Sequence, residues 1–232
     1  MGMPSQLFGN IWIVMPAYNE EASIGSVIAS CRNEGYDNII VVDDGSSDKT
    51  RSIAQQAGAF VVSHPINRGV GAATQTGLET ARLFGASTVV TMDADGQHDP
   101  RDIQKLLEVL RTSRSDIVIG SRFLGGGNAI PLSRRLFNAV ANMITLLLTG
   151  RYYSDSQSGL KAFSENALSK ITITANGYEF SSEIFREARH FRLKVTETPV
   201  SVVYSDYSLT KGQHLAAGMS TVVKLMIRSV MR

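Results

Sequence analysis

Five short apolar runs, rich in Val and Ile and separated by helical stretches, constrain the fold more than any other feature of this sequence. They are Ile11 to Met15, Ile39 to Val42, Phe60 to Val62, Thr88 to Met92 and Asp116 to Ile119, and runs of this length read as buried strands. The segments Glu20 to Asn33, Asp48 to Ala57, Gly71 to Phe84 and Pro100 to Leu110 carry helical signals. Ile24, Val27, Ile28 and Cys31 recur at helical spacing, Ser46 to Asp48 form a capping run, and Asp99 precedes a proline suited to a first turn. This alternation predicts an α/β chain with a mostly parallel sheet flanked by helices on both faces. Ligands of such sheets bind beyond the carboxyl ends of the strands.

Three strand ends carry the polar groups such a site needs. The fourth run leads directly into Asp93-Ala94-Asp95-Gly96-Gln97-His98. Residues two apart in an extended segment project to the same side, so Asp93 and Asp95 converge, and paired hard oxygens suit Mg2+ or Mn2+ bridging phosphates. An Asp-x-Asp pair is also a common solvated turn, so its neighbours must carry the argument. The first run ends in Pro16-Ala17-Tyr18-Asn19-Glu20-Glu21 and the second in Asp43-Asp44-Gly45-Ser46-Ser47-Asp48. A carboxylate there accepts from a base N–H, a tyrosine stacks on base or ribose, and a helix start offers backbone N–H groups, which together predict a nucleotide pocket. Asn67-Arg68-Gly69-Val70-Gly71 lacks the full dinucleotide fingerprint and reads as a helix entry.

Composition narrows the class. With 43% hydrophobic and 19% charged residues in 232, the chain is expected to fold as one domain, not as a disordered or fibrous polymer. The single cysteine excludes a disulfide framework or a multi-cysteine metal site and suits a reducing, cytoplasmic setting. A net charge of +2 gives no reason to expect nucleic acid as a partner. Neither a bilayer-spanning run nor an export signal is expected, since Leu136 to Gly150 is short and interrupted by Asn138, Asn142 and Thr145.

After about Gly120 the rhythm loosens: a loop with Gly125, Gly126 and Gly127, an apolar helix from Pro131 to Leu148, and a polar turn from Asp155 to Gly159. Tyr178 to Arg189 reads as helix, Lys194 to Tyr204 as one or two strands around Pro199, and His214 to Met231 as a closing helix.

The ordered set Pro16-Ala17-Tyr18-Asn19-Glu20, Val42-Asp43-Asp44-Gly45-Ser46-Ser47-Asp48, Asn67-Arg68-Gly69-Val70-Gly71-Ala72, Asp93-Ala94-Asp95-Gly96-Gln97-His98, Gly120-Ser121-Arg122 and Asp155-Ser156-Gln157-Ser158-Gly159 resembles the inverting glycosyltransferases of family 2. These have the GT-A fold, and the nearest likeness is to the dolichol-phosphate mannose synthase-like branch. The resemblance covers residues 10–160 most specifically. It implies a nucleotide-sugar-binding half at 10–120 and an acceptor and membrane-interface half at 121–232. Pro16, Tyr18, Glu20, Val42, Asp44, Asp93, Ala94 and Asp95 would surround the nucleotide sugar, with Asp44 on the base. Asp93, Asp95 and Gln97 would hold Mg2+ or Mn2+ on the diphosphate, and Arg122 would approach the phosphates or the acceptor.

The implied reaction moves a hexose from a nucleotide diphosphate sugar, of GDP-mannose or UDP-glucose type, to dolichyl or polyprenyl phosphate. Such an acceptor is already anionic near pH 7 and needs positioning more than a base. Asp155 is therefore expected to orient Arg122, Arg134 or Arg135, and neither Glu179 nor Glu183 is assigned as a base. Arg122, Arg134 and Lys211 are the candidate acceptor-phosphate contacts, with Asp95, Arg122 and Asp155 the catalytic set. Two basic, apolar helices, one from Arg134 and one closing the chain, suit a membrane surface at the inner face. Packing onto the domain or into a homodimer is the other use of the same faces. Anchoring would fall to a small membrane partner protein. The chain departs from the branch at Lys211-Gly212 and at Gly177-Tyr178-Glu179, which leaves the sugar and the acceptor contact open. The alternatives are transfer to a glycan or other acceptor, and a non-catalytic nucleotide-binding relative. A receiver-type module fails to explain Asp93 to Gln97 or the second half.

Overall fold

The structure is a computed structural model that describes residues 10–125, 130 and 132–202, the side chains of 132–134 excepted. In chain order the elements are β1 (Ile11–Ala17), α1 (Ile24–Asn33), β2 (Ile39–Asp43), α2 (Thr50–Gln56), β3 (Phe60–Ser63), α3 (Val70–Leu83) and β4 (Thr88–Thr91). They continue with α4 (Arg101–Thr112), β5 (Ile117–Ser121), α5 (Leu132–Thr149), β6 (Lys161–Ser164), α6 (Glu165–Lys170), α7 (Phe180–His190) and β7 (Val195–Pro199). The five expected strands and four expected helices of the first half are all present, with ends shifted by a few residues. The second half adds β6 and α6, which the sequence reading did not foresee.

One seven-stranded sheet has the order β3-β2-β1-β4-β6-β5-β7. Every pairing is parallel except those of β6, which runs antiparallel to both β4 and β5. Parallel strands need both faces covered. Ile24, Ile28, Ile103 and Leu106 cover one face over Ile13, Met15 and Val90, while Ala73, Leu78, Ile184 and Phe185 cover the other over Val14, Ile40 and Phe163. Because β6 is reversed, the loop before it arrives at the carboxyl ends of β4 and β5. Residues 154–160 thus join the strand tips that carry the polar motifs.

α5 is built inside out. Asn138, Asn142, Thr145 and Thr149 are buried, whereas Leu136, Val140, Met143 and Leu147 are 68%, 39%, 54% and 78% exposed. Both sets recur at helical spacing, so one face is polar and inward, the other apolar and outward. No helix among the described residues is long and apolar enough to cross a membrane. The expected closing helix and Lys211 lie outside the described residues, as do Gly126, Gly127 and Pro131.

Candidate active site

The tips of β1 and β2 are knitted together. Asn19 N donates to Ser46 Oγ at 2.9 Å, Ser47 N to Asn19 Oδ1 at 2.9 Å, and Glu20 N to Thr50 Oγ1 at 2.7 Å. Tyr18 is left half exposed beside them, as a stacking platform requires. Pro16 and Glu20 are partly exposed.

Asp44 is turned inward. Its Oδ1 lies 2.6 Å from His64 Nδ1 and accepts Arg68 N at 3.0 Å, and its Oδ2 accepts Gly69 N at 2.7 Å. His64 Nε2 in turn meets Thr76 Oγ1 at 3.0 Å. The Asn-Arg-Gly-Val-Gly segment is thus a helix entry whose N–H groups seize a carboxylate. Gly69 has φ 102°, and a Cβ there would lie 2.3 Å from Asn176 O, so glycine is what lets the 175–177 segment close over α3. Of the other expected donor contacts, Val42 and Ala94 are 0% and 3% exposed, their side chains packed in the two cores.

At the tip of β4, Asp93 and Asp95 stand close enough for the charge of one to act on the other. Burial opposes the charge of Asp93, but His98, Lys161 and Arg122 outweigh it and hold its pKa below the usual value. Asp95 is pushed up, first by desolvation and then by Asp93. His98 Nε2 lies 3.4 Å from Asp93 Oδ2, and its buried Nδ1 has no hydrogen-bond partner among the described residues. Gln97 N donates to Asp95 Oδ1 at 3.0 Å, and its side-chain amide donates to Asp95 Oδ2. A Cβ on Gly159 would fall 2.2 Å from Asp93 Oδ2, so the Asp155-to-Gly159 turn packs directly on this carboxylate.

Asp155, wholly buried, grips Arg122 in a fork: Nε to Oδ2 at 2.7 Å and Nη2 to Oδ1 at 2.8 Å, with Arg122 N to Oδ2 at 3.1 Å. Bidentate pairing fixes a guanidinium's plane. The inward face of α5 holds the turn itself. Asn138 Nδ2 and Asn142 Nδ2 both donate to Ser154 O at 3.0 and 2.8 Å, and Ser156 N donates to Asn142 Oδ1 at 3.0 Å. Glu197 supports it from β7, accepting Ser154 N at 2.9 Å and Ser154 Oγ at 2.7 Å.

Glu183 is fully engaged in structure, accepting Thr174 N, Thr174 Oγ1 and Ala175 N at 2.6 to 3.0 Å. Glu179 is buried beside Gly177. Arg134 falls in the first turn of α5, and its side chain lies outside those described. Lys161, Glu197, Asn138 and Asn142 escaped the sequence reading. Only Lys161 had a local signal there, as a cation inside the apolar run Leu160-Lys161-Ala162-Phe163.

The residues present fit a divalent ion only in part. Asp93 and Asp95 supply hard oxygens and Gln97 a carboxamide beside them, yet no cluster of three His, Cys, Asp or Glu forms a cage among the described residues. Further oxygens must come from a ligand, as a diphosphate would provide.

Comparison with known proteins agrees with this architecture. Residues 12–172 match the model of Glycosyl transferase family 2. The chain is 37% identical to UDP-N-acetylglucosamine–dolichyl-phosphate N-acetylglucosaminyltransferase of Methanococcus voltae, covering 94% of this chain and 95% of that protein. It is 29% identical to the polyprenol monophosphomannose synthase of Mycolicibacterium smegmatis, covering 93% and 86%. Among solved structures, glucosyl-3-phosphoglycerate synthase of Mycobacterium tuberculosis in complex with Mn2+, UDP and glucosyl-3-phosphoglycerate superposes with a TM-score of 0.69 at 24% identity, over 94% of this chain and 77% of that one. A seven-stranded GT-A sheet with an acidic pair at the β4 tip, and kinship across nearly the whole chain, place this protein in glycosyltransferase family 2, on its dolichol-phosphate mannose synthase-like branch.

Proposed function

We propose that the chain is an inverting, metal-dependent glycosyltransferase that moves a hexose-type sugar from a nucleotide diphosphate donor to dolichyl or polyprenyl phosphate. The observation that carries the lipid acceptor is the inside-out helix α5, which presents Leu136, Val140, Met143 and Leu147 outward while its inward face holds the Ser154-to-Ser156 turn of the site. Arg135, in the first turn of α5, and Arg151, just past its end, are exposed, and no acid occurs between Ile117 and Ser154. Apolar side chains with basic neighbours suit an anionic bilayer surface, which makes peripheral association with the cytoplasmic face the natural setting.

Each residue has a task in this reading. Tyr18 and the knitted β1 and β2 tips receive the nucleoside. Asp44 shapes the neighbouring 68–69 backbone by accepting Arg68 N and Gly69 N while it holds His64. Asp93, Asp95 and Gln97 would hold Mg2+ or Mn2+, which supplies charge stabilisation to the departing diphosphate. Arg122, fixed in plane by Asp155, orients a phosphate group. Both Asp155 oxygens are committed to Arg122, so Asp155 acts as its positioning partner. The acceptor phosphate needs no deprotonation, and its attack opposite the leaving diphosphate inverts the anomeric centre.

The test is mass spectrometry of polyprenyl phosphate after incubation with Mg2+ or Mn2+ and a panel including GDP-mannose, UDP-glucose and UDP-N-acetylglucosamine. One added sugar from one donor is expected, lost in Asp95→Ala with the fold intact. Sugar delivered only to a soluble acceptor, or full turnover by Asp95→Ala, would overturn the reading.

A further inference from the structure

The direction of the Asp155 side chain decides where Arg122 points, since both carboxylate oxygens grip it. From Ser154 N to Ser156 N, every polar group of the backbone is engaged. Ser154 N and Asp155 N donate to Glu197 Oε1 at 2.9 and 3.3 Å, and Asp155 O accepts Ser158 N at 3.3 Å. The two remaining groups belong to the peptide units immediately before and after Asp155, and one side chain takes both. Asn142 Nδ2 donates to Ser154 O at 2.8 Å, and Asn142 Oδ1 accepts Ser156 N at 3.0 Å.

A carboxamide holds a donor and an acceptor a fixed distance apart. Asn142 therefore spans Asp155 and orients the two peptide planes that set its side-chain direction. The residue is 2% exposed, so water does not compete for these groups. Asn138 is not its equal: it donates only to Ser154 O, at 3.0 Å, and its Oδ1 has no hydrogen-bond partner among the described residues. The helix that carries Asn142 is itself pinned, since Thr145 Oγ1 lies 2.9 Å from Ser182 Oγ of α7.

We propose that Asn142 is a positioning residue that sets the plane of the Arg122 guanidinium through Asp155. The inference rests on the reading of Arg122 as the group that orients a phosphate, and deepens it. Contacts run from α5 to the Asp155 turn and on to the arginine, so the helix with the apolar outer face also determines how that phosphate is held.

The first readout needs no turnover: hydrogen exchange of the Arg122 Nε–H, followed by nuclear magnetic resonance in protein carrying isotope-labelled arginine, the signal being identified by its loss in Arg122→Lys. In the wild type this N–H is donated to a wholly buried carboxylate and is expected to exchange at least about ten-fold more slowly than in free arginine. Asn142→Ala removes both contacts and Asn142→Ser is the milder truncation; each should speed that exchange about ten-fold and leave the other arginine signals within about two-fold. Asn138→Ala, which leaves Asn142 on both groups, should speed it less than about three-fold. The second readout is kcat/KM toward polyprenyl phosphate. The loss caused by Asn142→Ala, about ten-fold, should vanish in the Arg122→Lys background, because a residue acting through Arg122 then has nothing left to position. The thermal midpoint is recorded for every variant.

Unchanged Arg122 exchange in both Asn142 variants, equal acceleration at every arginine, or a loss of transfer as large with Arg122→Lys as without it would make Asn142 a structural residue and overturn the proposal. So would a wild-type Arg122 N–H that exchanges as fast as free arginine, a measurement needing no Asn142 variant. A wild-type protein that transfers no sugar to polyprenyl phosphate would instead overturn the lipid-acceptor reading, and the exchange measurement still decides the role of Asn142.

Discussion

Replacing Asp155 by Asn tests the central electrostatic element of the site. The carboxylate takes three hydrogen bonds from Arg122, two on Oδ2 and one on Oδ1. An amide oxygen in the place of Oδ2 keeps the first two. The amide nitrogen then faces Nη2 donor to donor, so one charge-assisted bond is lost, a cost of about 1.5–3 kcal/mol. Loss of the buried negative charge adds to this, but Arg122 is 18% exposed and water relieves part of the deficit. A total of about 3 kcal/mol is expected, near the lower end for a broken buried pair. For a chain of this size that corresponds to about 6–12 °C in the thermal midpoint, read by differential scanning calorimetry. If Arg122 orients a phosphate as proposed, the released guanidinium no longer holds it in one plane, and kcat/KM should fall about 100-fold, equivalent to about 2.7 kcal/mol. Arg122→Lys should lose activity similarly, because a lysine keeps the charge and forfeits the fork. Asp155→Asn with a midpoint within about 2 °C of wild type and transfer within about three-fold would refute the reasoning.

Three further outcomes follow from the same geometry. Gly69→Ala places a Cβ 2.3 Å from Asn176 O at a positive φ; about 1–3 kcal/mol of stability should be lost, and calorimetric titration with UDP or GDP should weaken as the Gly69 N–H to Asp44 bond shifts. Met143→Glu combined with Leu147→Glu should leave the thermal midpoint unchanged, because both side chains are exposed, while sedimentation with phosphatidylglycerol vesicles falls at least about ten-fold. The Cys31 thiol is raised from 9.0 to about 12 by burial and then by Glu34, so it should resist a thiol reagent at pH 8 until the protein is denatured. Between pH 9.0 and about 12 the unfolded chain gives up this proton and the folded one keeps it, so Cys31 makes stability fall as pH rises, a slope that Cys31→Ala removes.

The first half was legible because its signals are local. Val-rich runs of three to five residues are long enough to form strands, and the polar residues that end three of them are the tips themselves. The reading of Asn67 to Gly71 as a helix entry also required only local chemistry. What local reading could not supply was the partner of each polar group. Asp44 presents as a ligand contact in sequence, and only the fold shows that His64, Arg68 and Gly69 already hold it. Val42 sits beside two tip aspartates yet points into the core, since alternate residues of a strand face opposite ways. β6 was missed because Lys161 and the short flanking run break the apolar pattern, and its charge makes sense only when Asp93 and Asp155 approach from two other segments. The sequence pattern directs the apolar face of α5 to a membrane surface or to packing, but it does not show that the polar face, Asn138, Asn142, Thr145 and Thr149, is the buried one.

The reversed strand also governs when the two parts of the sheet can be joined. β5 has no direct pairing with β4; it is joined to the first four strands only through β6, whose residues follow it by about 40 positions. As the chain leaves the ribosome, β3, β2, β1 and β4 can assemble early, but β5 must wait with both edges open until Lys161 to Ser164 have emerged to join it to β4 and Val195 to Pro199 to cover its other side. That late insertion brings Lys161 and the Asp155 turn into place together, so a half-made chain has the β1, β2 and β4 tips without the turn that packs on Asp93. The last strand then completes both sheet and turn, since β7 closes the sheet beside β5 and its Glu197 takes hold of Ser154.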